Sequence, residues 1–252
     1  MKLGILIPCT SKNQDWKKIE ESFLYKLSIK TFLITNDKEH DSCYYIGYDK
    51  NDPVFDNEEN QKKLKKFISI MKNASIQFYE MQNVAKGHVT VMWNQLAKNA
   101  YDDGCDYFFQ CGDDIEFHTK GWMSECIEVL KKNNDIGLAG PINNNSKILT
   151  QSFVSRKHLD IFGFYFPEEI KNWFCDDWIN EVYKPDNFFP LTNHYCANRG
   201  GAPRYDINND PNIKVINSKC YDNKTYELYQ ELKNNSYKII ERDQKIIKVY
   251  LK

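Results

Sequence analysis

Three carboxylates fall within five residues, in the stretch Gly112-Asp113-Asp114-Ile115-Glu116, directly after the apolar run Tyr107-Phe108-Phe109. Carboxylates packed this closely repel one another. A hard divalent cation, Mn²⁺ or Mg²⁺, offsets that repulsion and prefers oxygen ligands. Such an ion bridges phosphates and neutralises the charge on a departing nucleoside diphosphate. The plain alternative for so short a motif is a solvated acidic turn. Its place after an apolar strand favours the metal, because open α/β sheets bind ligands beyond the carboxyl ends of their strands.

Other groups have suitable chemistry. Asp176 and Asp177, in Phe174-Cys175-Asp176-Asp177-Trp178, are either a proton-accepting pair or an acidic helix start, where carboxylates are favourable. His194 precedes Asn198-Arg199-Gly200-Gly201-Ala202-Pro203-Arg204-Tyr205. There the glycines let backbone approach a ligand, and Arg199 or Arg204 suits a diphosphate through a two-pronged contact. Ser155 and Arg156 suit a sugar hydroxyl or a phosphate. Phe162, Phe164, Tyr165, Phe166 and Trp173 offer ring faces to a sugar, or simply fill a core.

The elements that must carry these groups alternate. Leu3-Gly4-Ile5-Leu6-Ile7 is a continuous apolar run, which predicts a central strand buried on both faces. Thr10 to Asn13 is then a polar loop. Strands are expected over 30–34, 43–46, 75–80, 106–111 and 136–139. Helices are expected around Leu64, Phe67, Ile68 and Met71, over 88–103 with Gly104 as its stop, and over 122–133. Loops are expected at 47–53, 140–145 and 194–204. A helix follows over 176–183, and a helical tail from about residue 223. This is an α/β chain with a mostly parallel central sheet flanked by helices.

Composition sets the outer bounds. A chain of 252 residues with 41% hydrophobic and 14% aromatic residues builds a packed core and suits one large domain. A net charge of -1, from 34 basic and 35 acidic residues, gives no electrostatic footprint for nucleic acid. The eight cysteines form no C-x-x-C pair, so a zinc site has little support, and reduced thiols in a cytoplasmic protein are expected. The apolar start is too short for a signal peptide and is broken by Pro8. No run approaches membrane-spanning length.

The stretch from Asn94-Gln95-Leu96-Ala97 through Gly104 to Glu116, closing on Gly121-Trp122, resembles glycosyltransferases of the GT-A fold. It is most similar to inverting family 2-like enzymes, among them glycosyltransferase domains of large DNA viruses, which would place the protein in a host cytoplasm. The resemblance spans roughly residues 1–205 and is strongest over 86–141. It implies a single domain over 1–252: a nucleotide-binding half (1–141), an acceptor and catalytic half (142–205), and a largely helical extension (206–252).

It further implies a UDP-, GDP- or TDP-sugar donor, a glycan or other hydroxylated acceptor, and Mn²⁺ or Mg²⁺. Asp114 would be the principal metal ligand, and Asp113 would contact the ribose or assist. Glu116 is a lesser candidate, and His194 a further metal or phosphate contact. Pro8, Thr10 and Ser11 match the first nucleotide-contacting loop, and Asp49 a carboxylate that reads base or ribose. Asn94 and Lys86-Gly87 match the region covering the nucleotide, and the stretch 150–156, with Ser155 and Arg156, the sugar and acceptor pocket. Asp177 aligns with the base that deprotonates the acceptor, with Asp176 beside it. Gly112 stands where many relatives carry the first aspartate of the acidic triplet.

Two other functions share these features. A sugar-phosphate nucleotidyltransferase uses a related fold, but the loop Pro8-Cys9-Thr10-Ser11-Lys12-Asn13 lacks that class's glycines. A non-catalytic nucleotide-sugar-binding protein would keep the fold and lose turnover.

Overall fold

The computed structural model describes residues 1–85, 87–200 and 223–251. The N-terminal apolar run forms β1 (Lys2–Cys9), buried from Leu3 onward. It pairs in parallel with β2 (Asp41–Tyr48) on one side and β4 (Tyr107–Gln110) on the other. Strand β3 (Ala74–Glu80) extends the parallel set beyond β2. The chain leaves β1 toward β2 and returns on its other side at β4. That reversal of strand order opens a crevice beyond the carboxyl ends of β1 and β4.

Beyond β4 the sheet is mixed. Strand β7 (Ser152–Ser155) runs antiparallel to β4 and to β6 (Leu138–Ile142). Strand β8 (Phe188–Asn198) runs parallel to β6, and β5 (Ile115–Phe117) closes the edge antiparallel to β8. The order across all eight strands is β3-β2-β1-β4-β7-β6-β8-β5.

Alternate residues of β1 feed two cores, Leu3, Ile5 and Ile7 into one and Leu6 into the other. The first lies under α1 (Lys30–Thr35), α2 (Glu58–Ile68) and α4 (Trp122–Lys132). The second lies under α3 (Val89–Asp102), α5 (Lys157–Phe162), α6 (Cys175–Tyr183) and α7 (Asn223–Tyr250). Gly121 takes a left-handed conformation, φ 84°, just before Trp122, which packs on Phe109 and Phe117. Asp37 caps the start of α4 by accepting from Gly121 N at 3.0 Å and Ser124 N at 2.9 Å. The Gly-Trp pair therefore anchors a helix to the core.

Three expectations about elements need correction. Gly140 to Ile142, expected to open the loop 140–145, belong to β6 and pair with β8. Residues 30–34, expected as a strand, form helix α1, which continues a π-helical turn at Leu24–Ile29. The apolar, β-branched run Thr31-Phe32-Leu33-Ile34 suggested a strand, but burial follows a helical face. Leu24, Ser28, Ile29 and Phe32 face inward, while Ile34 is 63% exposed. Residues 194–198, expected in a loop, belong to β8. Their partners are distant in sequence, on β5 and β6, so no local pattern announces the strand. The seven described cysteines are free and buried. Among the described residues no helix is long and apolar enough to cross a membrane.

Candidate active site

The carboxyl ends of β1, β2 and β4 lie at one edge of the sheet, and the first candidate residues gather there. Pro8 sits inside β1, opposite Gly47 of β2. The following loop is organised by a residue the sequence reading passed over, Asp52. Its buried carboxylate accepts five hydrogen bonds, from Thr10 Oγ1, Ser11 N, Ser11 Oγ, Val54 N and Phe55 N. Asp49, the carboxylate expected to read the nucleotide, is the exposed neighbour at the end of β2. Partial desolvation, and then the charge of Asp52, push its pKa up. The signal for Asp52 was an aspartate two residues ahead of a Val-Phe pair. An aspartate there satisfies the turn's backbone N–H groups, as in an Asx turn.

Across the crevice, the acidic turn leaves β4. Asp113 is fully buried. The carboxylate of Asp114 lies between two glycines, Gly112 before it and Gly200 after β8. A Cβ on either glycine would collide with that carboxylate, and one on Gly200 would also stand 2.9 Å from Asp114 Cβ. Gly112, in place of the first aspartate of the family triplet, is thus the residue that leaves room for Asp114. The peptide N–H of Arg199 donates to Asp114 O at 3.0 Å and holds the turn against β8.

Glu116 is engaged differently. Its Oε2 accepts from Arg199 Nε at 2.7 Å and lies 3.2 Å from His118 Nε2. The Arg199 hydrogen bond holds the Glu116 carboxyl below its usual pKa. Glu116 and Arg199 therefore occupy each other.

His194 is not brought to this turn. The four last residues of β8 separate it from Arg199, which pairs with Asp114, a span of roughly 16 Å at strand rise. Its ring nitrogens lie 3.0 Å from Thr119 Oγ1 and 2.9 Å from Glu125 Oε2. Ser155 and Arg156 lie at the far end of the sheet, because β7 runs antiparallel to β4 and pairs Ser155 with Tyr107. Ser155 donates to the carbonyl of Asp135. Arg156 donates to the carbonyls of Tyr101 and Cys105 and stacks 3.4 Å over the Tyr101 ring.

Asn94 is likewise committed. Its Nδ2 donates to Phe166 O, and its Oδ1 accepts from Tyr165 N and Phe166 N. It pins the 165–166 segment to α3. Lys86 and Arg204 lie outside the described residues.

The second acidic pair comes to the first. A cavity of about 480 Å³ is lined by Gly112 of the acidic turn, Asn198 at the end of β8, and Asp176 and Asp177 at the start of α6. Gln110 and Gln151 line it too; Gln151 falls in the stretch 150–156 expected at the sugar pocket, whereas Gln110 was not singled out from sequence. A glutamine at a strand end carries no signal of its own.

The two aspartates differ. Asp176 keeps some surface in the cavity, but the protein around it desolvates the carboxyl. Burial, with Asp177's charge second, raises its pKa to about 7. Asp177 is raised chiefly by burial, and its charged neighbours are Glu181, Lys184 and Lys233. Asp176 is therefore the more desolvated member.

Among the described residues no three His, Cys, Asp or Glu side chains gather to hold a metal. That donor set does not make a closed, all-protein metal site. It fits Mn²⁺ or Mg²⁺ held by one or two carboxylates, with the remaining positions taken by substrate phosphates and water.

No family model matches the chain, and no curated protein matches it in sequence. Its fold is similar to that of TarS from S. aureus. TarS 1–349 in complex with UDP-GlcNAc aligns with a TM-score of 0.55 at 13% identity, over 92% of this chain and 65% of that one. The complex of the same fragment with UDP gives 0.53 at 12%, over 78% and 60%. This is the GT-A fold. The longer TarS chain gives 0.51 at 11%, over 77% of this chain and 36% of that one. The GT-A chain described here thus spans between 36% and 65% of the TarS chains it matches. The expected likeness to viral domains gains no support from these matches.

Proposed function

We propose that the protein is a metal-dependent glycosyltransferase that moves a sugar from a nucleotide-sugar donor to an acceptor hydroxyl with inversion. One observation carries this reading: a single cavity joins the turn that bears Asp114 to a desolvated carboxylate on α6. The UDP and UDP-GlcNAc held by the similar TarS structures make a UDP-sugar the first donor to test.

The donor's nucleotide lies in the crevice beyond β1 and β4, against the Thr10-Ser11 loop that Asp52 braces. Asp114, with Asp113 behind it, would hold Mn²⁺ or Mg²⁺ at the diphosphate. When bound, the ion supplies positive charge that stabilises the leaving nucleoside diphosphate. Asp176 takes the proton from the acceptor hydroxyl. The oxygen attacks the anomeric carbon from the face opposite the diphosphate, and the bond from that carbon to the phosphate oxygen breaks. The diphosphate leaves with the electron pair, and the configuration inverts. A carboxyl with a pKa near 7 suits a base at neutral pH, because it is partly ionised and still basic. In this role Asp176 takes the place that the family resemblance gives to Asp177.

A screen of UDP-, GDP- and TDP-sugars with and without Mn²⁺ tests the reading, scored by thermal shift and by release of nucleoside diphosphate. A binder stabilises the fold by mass action. The expected result is metal-dependent stabilisation and release with one donor class, both lost in Asp114→Ala. Absence of stabilisation and release with every donor, or full turnover by Asp114→Ala, refutes it.

A further inference from the structure

The cavity beside Asp176 has a composition of its own. Apart from Asp176 and Asp177, no charged side chain is found among the described residues that line it. Five amides do line it: Gln110, Asn145, Gln151, Asn172 and Asn198. Amides present donors and acceptors together, which matches the hydroxyls of a polyol and gives no charge to neutralise a phosphate.

The outer wall is aromatic. Trp93 comes from α3, Trp173 and Phe174 from the turn before α6, and Tyr229 from α7. Phe174 has a left-handed backbone, φ 73°, which turns the chain tightly at that point. Its ring lies 5.3 Å from that of Tyr229, and the ring of Trp173 lies 6.2 Å from it. Trp93 packs on Phe166 at 5.4 Å. Its indole Nε1 is closed off from solvent, without a hydrogen-bond partner among the described residues, so other atoms of Trp93 form the cavity wall.

We propose that this end of the cavity is an acceptor subsite for a neutral saccharide, selected by Tyr229 of the C-terminal helix and by Trp93. The Tyr229 ring covers the apolar face of the sugar. Trp93 adds a second aromatic wall, and the amides read the sugar hydroxyls. Phosphate-bearing acceptors are disfavoured, because two carboxylates and, among the described residues, no cation line the cavity. The acceptor role rests on the transferase reading, whereas saccharide binding does not.

Two measurements keep these apart. In the first, the full chain is titrated with maltose, lactose, cellobiose and chitobiose, and with glucose 6-phosphate as the anionic probe, while tryptophan fluorescence is followed. Trp93 and Trp173 line the cavity, so at least one neutral disaccharide should change the emission saturably, at concentrations ten times lower than glucose 6-phosphate. Trp93→Ala and Tyr229→Ala should each weaken that binding tenfold or more, and Trp173 still reports in both. In the second, transfer from UDP-GlcNAc is measured. Both variants should raise the acceptor KM at least tenfold, while the Kd for UDP-GlcNAc moves less than twofold.

No fluorescence response to any neutral disaccharide overturns the inference, as does tighter binding of glucose 6-phosphate. Equal losses of donor and acceptor affinity in both variants also overturn it. Saccharide binding without any turnover sustains the subsite and counts against the transferase reading alone.

Discussion

The two halves of the site handle polar groups in opposite ways. In the loops after β1 and β2, Asp52 is saturated: five donors converge on one buried carboxylate and fix the Thr10-Ser11 loop. At the start of α6, Asp176 is desolvated and stands near the charge of Asp177, so its proton is held up to about pH 7. The first arrangement builds a rigid bed before any ligand arrives. The second leaves a group poised to change its protonation state. A carboxylate's surroundings, more than its presence, separate a structural role from a chemical one.

The largest expected effect tests the chemical half. Asp176→Asn keeps the side chain's shape and removes the base. It should lower kcat by about 10²–10⁴, the usual range for general-base help, with little change in UDP-GlcNAc Kd. Asp177→Asn should cost about tenfold or less, because its charged neighbours are the outer Glu181, Lys184 and Lys233. Steady-state kinetics of the pair decides it. If Asp177→Asn is the dead variant, the roles of the two aspartates are reversed.

The structural half should fail in stability. Asp52→Ala strips five hydrogen bonds and leaves the buried N–H groups of Ser11, Val54 and Phe55 without partners. The cost should be on the order of 3 kcal/mol, read by urea denaturation. Asp49→Ala, at the exposed neighbour, should stay within roughly 0.5 kcal/mol. Equal effects at the two positions would erase the distinction between bracing residue and bystander.

A smaller effect sits where the halves meet. Gly200→Ala puts a methyl against the Asp114 carboxylate, and rotating that side chain does not clear its Cβ at 2.9 Å. Overpacking of this kind costs about 1–3 kcal/mol where it cannot relax. Donor affinity should fall about tenfold while kcat at saturating donor is largely kept, which isothermal titration and kinetics together resolve.

Particular residues show what the sequence made legible. The parallel half was readable because β1 and β4 are continuous apolar runs and α3 has a clear apolar stripe ending at Gly104. The acidic turn was readable because charge follows such a run directly. The reading failed where partners are remote. His194 looked like a loop residue because β8 is defined by pairing with β5 and β6. Ser155 and Arg156 looked well placed in sequence, but an antiparallel β7 carries them to the other end of the sheet. Asn94 fell at a family position, yet its amide is spent on the backbone of 165–166. Trp93 and Tyr229 were invisible as a pair, since α3 and α7 meet this cavity only in three dimensions.

The smallest predicted effect is also the one that ties burial to titration. The folded pKa of Asp176 lies near 7, above the ordinary value of 3.8. Between those values the native state holds a proton that the unfolded chain has released. Native stability from this group is therefore full below about pH 4 and is lost as the pH rises through 7. Asp176→Asn has no proton to lose, so its melting temperature relative to the wild type should rise by a few degrees between pH 4 and pH 8. Asp52→Asn, by contrast, should be less stable than wild type at both pH values. A flat difference curve for Asp176→Asn would mean that the cavity wets the carboxyl. Any rise of kcat/KM with pH through 7 would then have to be assigned to another group.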